Sequence, residues 1–150
     1  MKTIIVYDSK YGNTEKVAQA IASALMGDTE VVRAGLAKDH LSGVDLLVVG
    51  CPTNGGRPTQ DMAAFLDAIP EKALQGVRAA AFDTRLTSRF AKIFGYAAPK
   101  IAGSLAAKGG AMIAEPEGFQ VKGTKGPLAE GELERAAAWG RALMDKSGKQ

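Results

Sequence analysis

A short run of mostly β-branched residues, Thr3-Ile4-Ile5-Val6, leads straight into a polar loop, Ser9-Lys10-Tyr11-Gly12-Asn13-Thr14, and an amphipathic stretch begins at once. In that stretch Val17, Ile21, Ala24 and Leu25 recur at helical spacing and mark one apolar face. The pattern predicts a strand over residues 3–7 and a helix over 14–26, with Gly27 placed to stop it. A helix start carries N–H groups that the helix itself cannot use, and its dipole favours negative charge. Hydroxyls and a glycine set at such an end make a natural phosphate site. The plainer alternative is a helix cap supplied by Asn13 or Thr14.

The rest of the chain repeats the alternation. Strands are expected at residues 30–33, 45–50, 78–82 and 111–114, and helices at 60–69, 96–108 and 128–144. The run Leu46-Leu47-Val48-Val49 does not alternate with polar residues, which fits a strand buried on both faces of a parallel sheet. Met62, Phe65, Leu66 and Ile69 share a helix face, and Pro70 follows them. Ala98, Ile101 and Leu105 do the same before Gly109-Gly110. Pro116 and Gly118 interrupt the fifth strand, extended structure resumes at 119–121, and Lys122-Gly123-Thr124-Lys125-Gly126-Pro127 reads as a turn. In the last helix Leu133, Ala136, Ala137, Gly140, Leu143 and Met144 are expected to face inward, with a frayed polar tail from Lys146. Strands alternating with helices at this spacing mean an α/β fold with a parallel sheet. No linker divides the 150 residues, so the chain reads as one domain over 1–150.

Composition excludes several classes. One cysteine, Cys51, permits no internal disulfide, and one histidine, His40, argues against a zinc site. Cys51 reads as a buried strand-end residue, His40 as a surface loop residue and Trp139 as packing. No apolar run approaches the roughly 18 residues of a membrane span. The start leads directly into a strand, unlike a secretory leader, so a cytoplasmic protein with no membrane insertion is expected. A formal charge of +3 is too small to argue for nucleic acid.

In an open α/β sheet, ligands bind beyond the carboxyl ends of the strands, where strand order reverses. The loops at 9–14, 51–59 and 83–96 meet that description. Ser9-x-Tyr11-Gly12-Asn13-Thr14 resembles the phosphate loop of the flavodoxin family, with Tyr11 in place of the usual Thr, as is frequent in flavodoxin-like quinone reductases. Gly50-Cys51-Pro52-Thr53-Asn54-Gly55-Gly56 is similar to the family's second flavin loop, and Asp83-Thr84-Arg85 stands where the third does. The segment from Gly126 to Gly140 resembles the final helix of short-chain members.

The resemblance implies a flavodoxin-like three-layer sandwich with strand order 2-1-3-4-5 and one non-covalent FMN. It implies that Ser9, Thr14, Tyr11, the Asn13 side chain and the N–H groups of residues 10–14 hold the phosphate, with Gly12 letting the backbone close around it. The flavin ring would lie between Pro52–Gly56 and Asp83-Thr84-Arg85, with Thr53, Asn54 and Gly55 meeting its edge. The function implied is an electron carrier working with a redox partner protein, as monomer or homodimer. The alternatives are an FMN-dependent oxidoreductase acting on a quinone-like acceptor and a flavin-free interaction module. A receiver domain, a dinucleotide site and a nucleotide hydrolase each lack their motif here.

Two features depart from the family pattern. Residues 85–108 contain Arg85, Arg89, Lys92, Lys100 and Lys108 and no acid. Positive charge at Arg57, Arg85 or Arg89 would favour an anionic reduced flavin and raise its potential, which a redox titration checks. Aromatic residues to flank the flavin are also scarce, with Phe90, Phe94 and Tyr96 the candidates in the third loop.

Overall fold

The computed structural model describes residues 1–86, 93 and 95–148. Its centre is a sheet of β1 (Lys2–Tyr7), β2 (Asp28–Arg33), β3 (Leu46–Pro52), β4 (Arg78–Arg85), β5 (Ala111–Met112) and β6 (Glu117–Gln120). All neighbouring strands run parallel, in the order β2-β1-β3-β4-β5, with β6 further along the same edge of β4. The helices are α1 (Asn13–Ala24), α2 (Gln60–Ala68), α3 (Ala97–Ala107) and α4 (Glu132–Gly148).

Period-two alternation divides the strands between two cores. Ile4, Val6, Leu47, Val49, Ala79 and Ala81 point toward α2 and α3, against Met62, Phe65, Ile101 and Leu105. Ile5, Leu46, Val48, Ala80 and Phe82 point the other way, toward α1 and α4. The run Leu46-Val49 is therefore buried on both faces, as its lack of alternation predicts. The result is a flavodoxin-like three-layer sandwich. Among the described residues no helix is long and apolar enough to cross a membrane.

The fifth strand is interrupted as expected, but its bounds differ: β5 ends at Met112, and Gly118 lies within the resumed strand β6 rather than in the break. It is split, because Ile113 to Pro116 stand opposite only Ala80 and Ala81, and Pro116 has no N–H to give a ladder. The ladder resumes at Glu117, where Phe82 pairs, and runs to Gln120 opposite Arg85.

The last helix also differs. It starts at Glu132 rather than 128: Leu128 bridges back to Val121, and Gly131 takes a left-handed φ of 82°. Leu133 consequently faces solvent at 41% exposure instead of the core. The helix also runs past Lys146 to Gly148, and the buried Ser147 hydroxyl donates to Leu143 O at 2.6 Å, so residues 146–148 are helical rather than frayed; Lys149 and Gln150 lie outside the described residues. Arg135 ties this helix to β6 through Glu117 at 3.1 Å, and Glu132, paired with Arg135 within the helix at 2.9 Å, adds a second tie by accepting the Gln120 N–H. The Arg135 hydrogen bond, chief among these contacts, holds the Glu132 carboxyl below its ordinary range.

Trp139 packs as the sequence suggested. Its ring meets Phe82 and Phe119 edge-on, each at 6.1 Å between centroids. One turn position away, Gly140 lets α4 lie against α1, since a Cβ there would sit 2.8 Å from Ile21 O. Gly140→Ala should therefore destabilise the fold. Overpacking costs about 1–3 kcal/mol against a helix-propensity gain of roughly 1 kcal/mol. Urea denaturation checks this, and a more stable variant would contradict the close crossing.

Candidate functional site

The carboxyl ends of β1, β3 and β4 open onto one cleft. Ser9, Lys10, Tyr11, Asn13 and Thr14 line it after β1; Pro52, Thr53, Gly55 and Gly56 after β3; Thr84, Arg85 and Leu86 at the end of β4, with Gly95 ahead of α3. The three loops chosen from the sequence meet here. A fourth, after β6, adds Val121 and Thr124, which the sequence reading missed. The signal was present: a strand ending near residue 120 delivers the Lys122–Pro127 turn to the same edge of the sheet.

The first loop is built around a bare helix end. Gly12 is the N-cap, left-handed at φ 91°, and no side chain caps α1. The capping roles proposed for Asn13 and Thr14 are thus corrected. Asn13 Nδ2 donates to Lys125 O at 3.2 Å, fastening the fourth loop, and the Thr14 and Thr84 hydroxyls are hydrogen-bonded at 2.8 Å. Ser9 Oγ accepts the Gly12 N–H at 3.0 Å, which leaves its own proton available. Among the described residues no protein acceptor meets the N–H groups of Lys10, Tyr11, Asn13 or Thr14. The neighbouring helices differ. Thr59 Oγ1 caps α2, and Thr53 Oγ1 and Asp83 cap α3 by accepting from Ala97 and Ala98 at 3.0 and 2.8 Å.

The second loop is a tight hairpin. Asn54 and Arg57 exchange both backbone hydrogen bonds around Gly55 and Gly56, at φ 58° and 80°. Lys100 reaches over from α3 to donate to Gly56 O. The Thr53 N–H donates to Thr84 O at 2.9 Å and the Asn54 N–H to Arg57 O at 2.8 Å, so of the three backbone groups suggested for a flavin edge, only the Gly55 N–H lacks a protein acceptor among the described residues.

Asp83 does not reach the cleft. Its carboxylate is fully buried, takes Arg85 in a two-pronged pair at 2.7 and 2.8 Å, and caps α3. Arg85 lies 3.5 Å over the Tyr96 ring, and Gly118 leaves room for it: a Cβ there would sit 2.2 Å from its guanidinium carbon. Tyr96 is thus covered by Arg85, and the charge of Arg85 is balanced by Asp83. Phe90, Phe94, Arg89 and Lys92 lie outside the described residues. Cys51 is buried, which pushes its thiol up to about 12 and leaves it protonated and unreactive. His40 lies away from the cleft, 3.0 Å from Glu30.

The flavodoxin family model matches residues 5–139. The chain belongs to the flavodoxin family. Over its sequence it is similar to a NAD(P)H dehydrogenase (quinone) of Cupriavidus metallidurans, 32% identical over 100 residues that cover 51% of this chain and 50% of the relative. A flavodoxin of Synechocystis is 30% identical over 82 residues, 52% of this chain and 48% of the relative. The chain thus spans about half the length of these curated relatives. Its fold is that of flavodoxin 2 from Bacillus cereus, with a TM-score of 0.83 at 23% identity, covering 97% of this chain and 99% of the other.

Within this flavodoxin-family cleft, Arg85 holds the wall. Arg85→Ala would strand the buried Asp83 carboxylate, a loss of about 3–5 kcal/mol. Chemical denaturation measures it, and Arg85→Lys, which keeps the charge without the fork, should fall between.

Proposed function

We propose that this chain holds FMN in the cleft and works as a flavodoxin-type electron carrier. Membership of the family supports flavin-binding electron transfer in general terms. The assignment of FMN rests on one observation: α1 alone among the three helices around the cleft starts without a side-chain cap, and its start faces the cleft.

A phosphate monoester fits that end. It carries nearly two charges near neutral pH and accepts several hydrogen bonds. Four N–H groups without an acceptor among the described residues, the Ser9 and Thr14 hydroxyls and the Lys10 side chain stand along this wall. The slot between Pro52–Gly56 and Thr84–Leu86 would take the ring, with the Gly55 N–H at its edge. When bound, FMN supplies a ring that exchanges one or two electrons. The chain grips and orients it. The counterpart would be a redox partner protein.

The second reading is an FMN-dependent oxidoreductase reducing a small quinone-like acceptor, favoured by the likeness to a NAD(P)H dehydrogenase (quinone). Steady-state turnover with a nicotinamide cofactor and a quinone decides between them. A colourless protein that takes up no flavin would leave the interaction-module reading.

If the cradle holds a phosphate, FMN should bind at least about 100-fold tighter than riboflavin, because each hydrogen bond to a charged group contributes roughly 1.5–3 kcal/mol. Ser9→Ala should weaken FMN about tenfold or more and leave riboflavin unchanged. Quenching of flavin fluorescence reads both. Equal affinity for the two flavins would remove the proposed cradle.

A further inference from the structure

Charges at the cleft mouth are sorted by sign and by depth. Residues 9–14, 53–59 and 121–127 contain Lys10, Arg57, Lys122 and Lys125 and no acid. All four are exposed, and none is paired with a carboxylate among the described residues. The acids at this edge are withdrawn. Asp8 is occupied by the Thr59 hydroxyl and by Arg33 at 3.4 Å, and Asp83 is buried against Arg85. Glu15 and Asp61, on the first turns of α1 and α2, line no part of the cleft. Within the cationic rim, Tyr11 and Leu86 line the mouth yet remain 43% and 41% exposed.

An apolar centre inside a charged rim is the anatomy of a transient protein interface. Arg57, Lys122 and Lys125 line no part of the cleft itself, so a small anion seated in the cleft would make no use of them. A partner broader than the cleft would meet them all. We infer that the mouth is the docking surface for a redox protein whose own electron-transfer face is acidic. The inference rests on the electron-carrier reading above and adds the chemistry of the partner. Opposite charge steers encounter and rejects a basic competitor, and salt weakens both effects.

The probes are an acidic and a basic cytochrome, titrated calorimetrically into the chain with and without added FMN. The acidic cytochrome should bind at least about tenfold tighter than the basic one at low ionic strength. Raising salt from about 10 mM to about 0.15 M should cost it most of that advantage. Lys122→Glu with Lys125→Glu should abolish the preference both with and without added FMN, and the paired Gln substitutions should reduce it part-way. Circular dichroism confirms that each variant is folded. The inference is overturned if the basic cytochrome binds as tightly, if neither binds, or if the folded double variant keeps its preference. Flavin fluorescence tests the cofactor reading on the same samples, so failure of one is distinguishable from failure of the other.

Discussion

The buried pair of Asp83 and Arg85 holds the site together. An isolated carboxylate at zero exposure is costly, and here it is offset three ways: two prongs of a guanidinium and the N–H of Ala98 at the start of α3. The cluster joins three pieces of the wall. Asp83 and Arg85 lie on β4, Ala98 on α3, and the guanidinium fills the space that Gly118 leaves on β6. One charge cluster thus fixes the angle between strand end, helix start and the second half of a split strand. The Tyr96 ring closes it from above. Replacing the pair with apolar residues would pack as well, but it would not cap α3.

That cap sets off what α1 lacks. The fold satisfies the helix starts of α2 and α3 with Thr59, Thr53 and Asp83, yet presents that of α1 to solvent with only Gly12 at the cap. Asn13 and Thr14, which have side chains able to cap, are instead bonded to Lys125 O and the Thr84 hydroxyl. A cap is worth about 1 kcal/mol. Forgoing it while spending both side chains on the neighbouring loops is reasonable only if something else accepts those N–H groups when the protein works.

Much of this was legible in the sequence, and the losses have physical reasons. Leu46-Val49 told its own burial, because a run without alternation has nowhere polar to point. The first loop was legible because its residues act on the backbone beside them. Asp83 was not: its partners lie two and fifteen residues away, and no local pattern says that Ala98 would need a carboxylate. Leu128 and Leu133 fitted the helical period, but a left-handed Gly131 comes between them and turns the chain before the helix starts. The break at Pro116 and the turn after the resumed strand were legible, but the end of the sheet that this turn reaches is set by pairing with β4, far back in the chain, and no local pattern carries that.

Charge shows the same limit. Counting basic residues over 85–108 gave Arg85, Arg89, Lys92, Lys100 and Lys108, and a field on the site was expected from Arg57, Arg85 or Arg89. In the fold Arg85 is balanced by Asp83, Lys100 donates to Gly56 O, and Lys108 donates to Ile69 O at 2.6 Å beyond the far end of α3. Among the described residues, the cations near the mouth with no carboxylate partner are Arg57, which that expectation included, and Lys10, Lys122 and Lys125 from two other loops. What a charge can do at a site depends on where its counter-charge is buried. Here the acids were taken inward to hold the wall, and that same act left the rim positive.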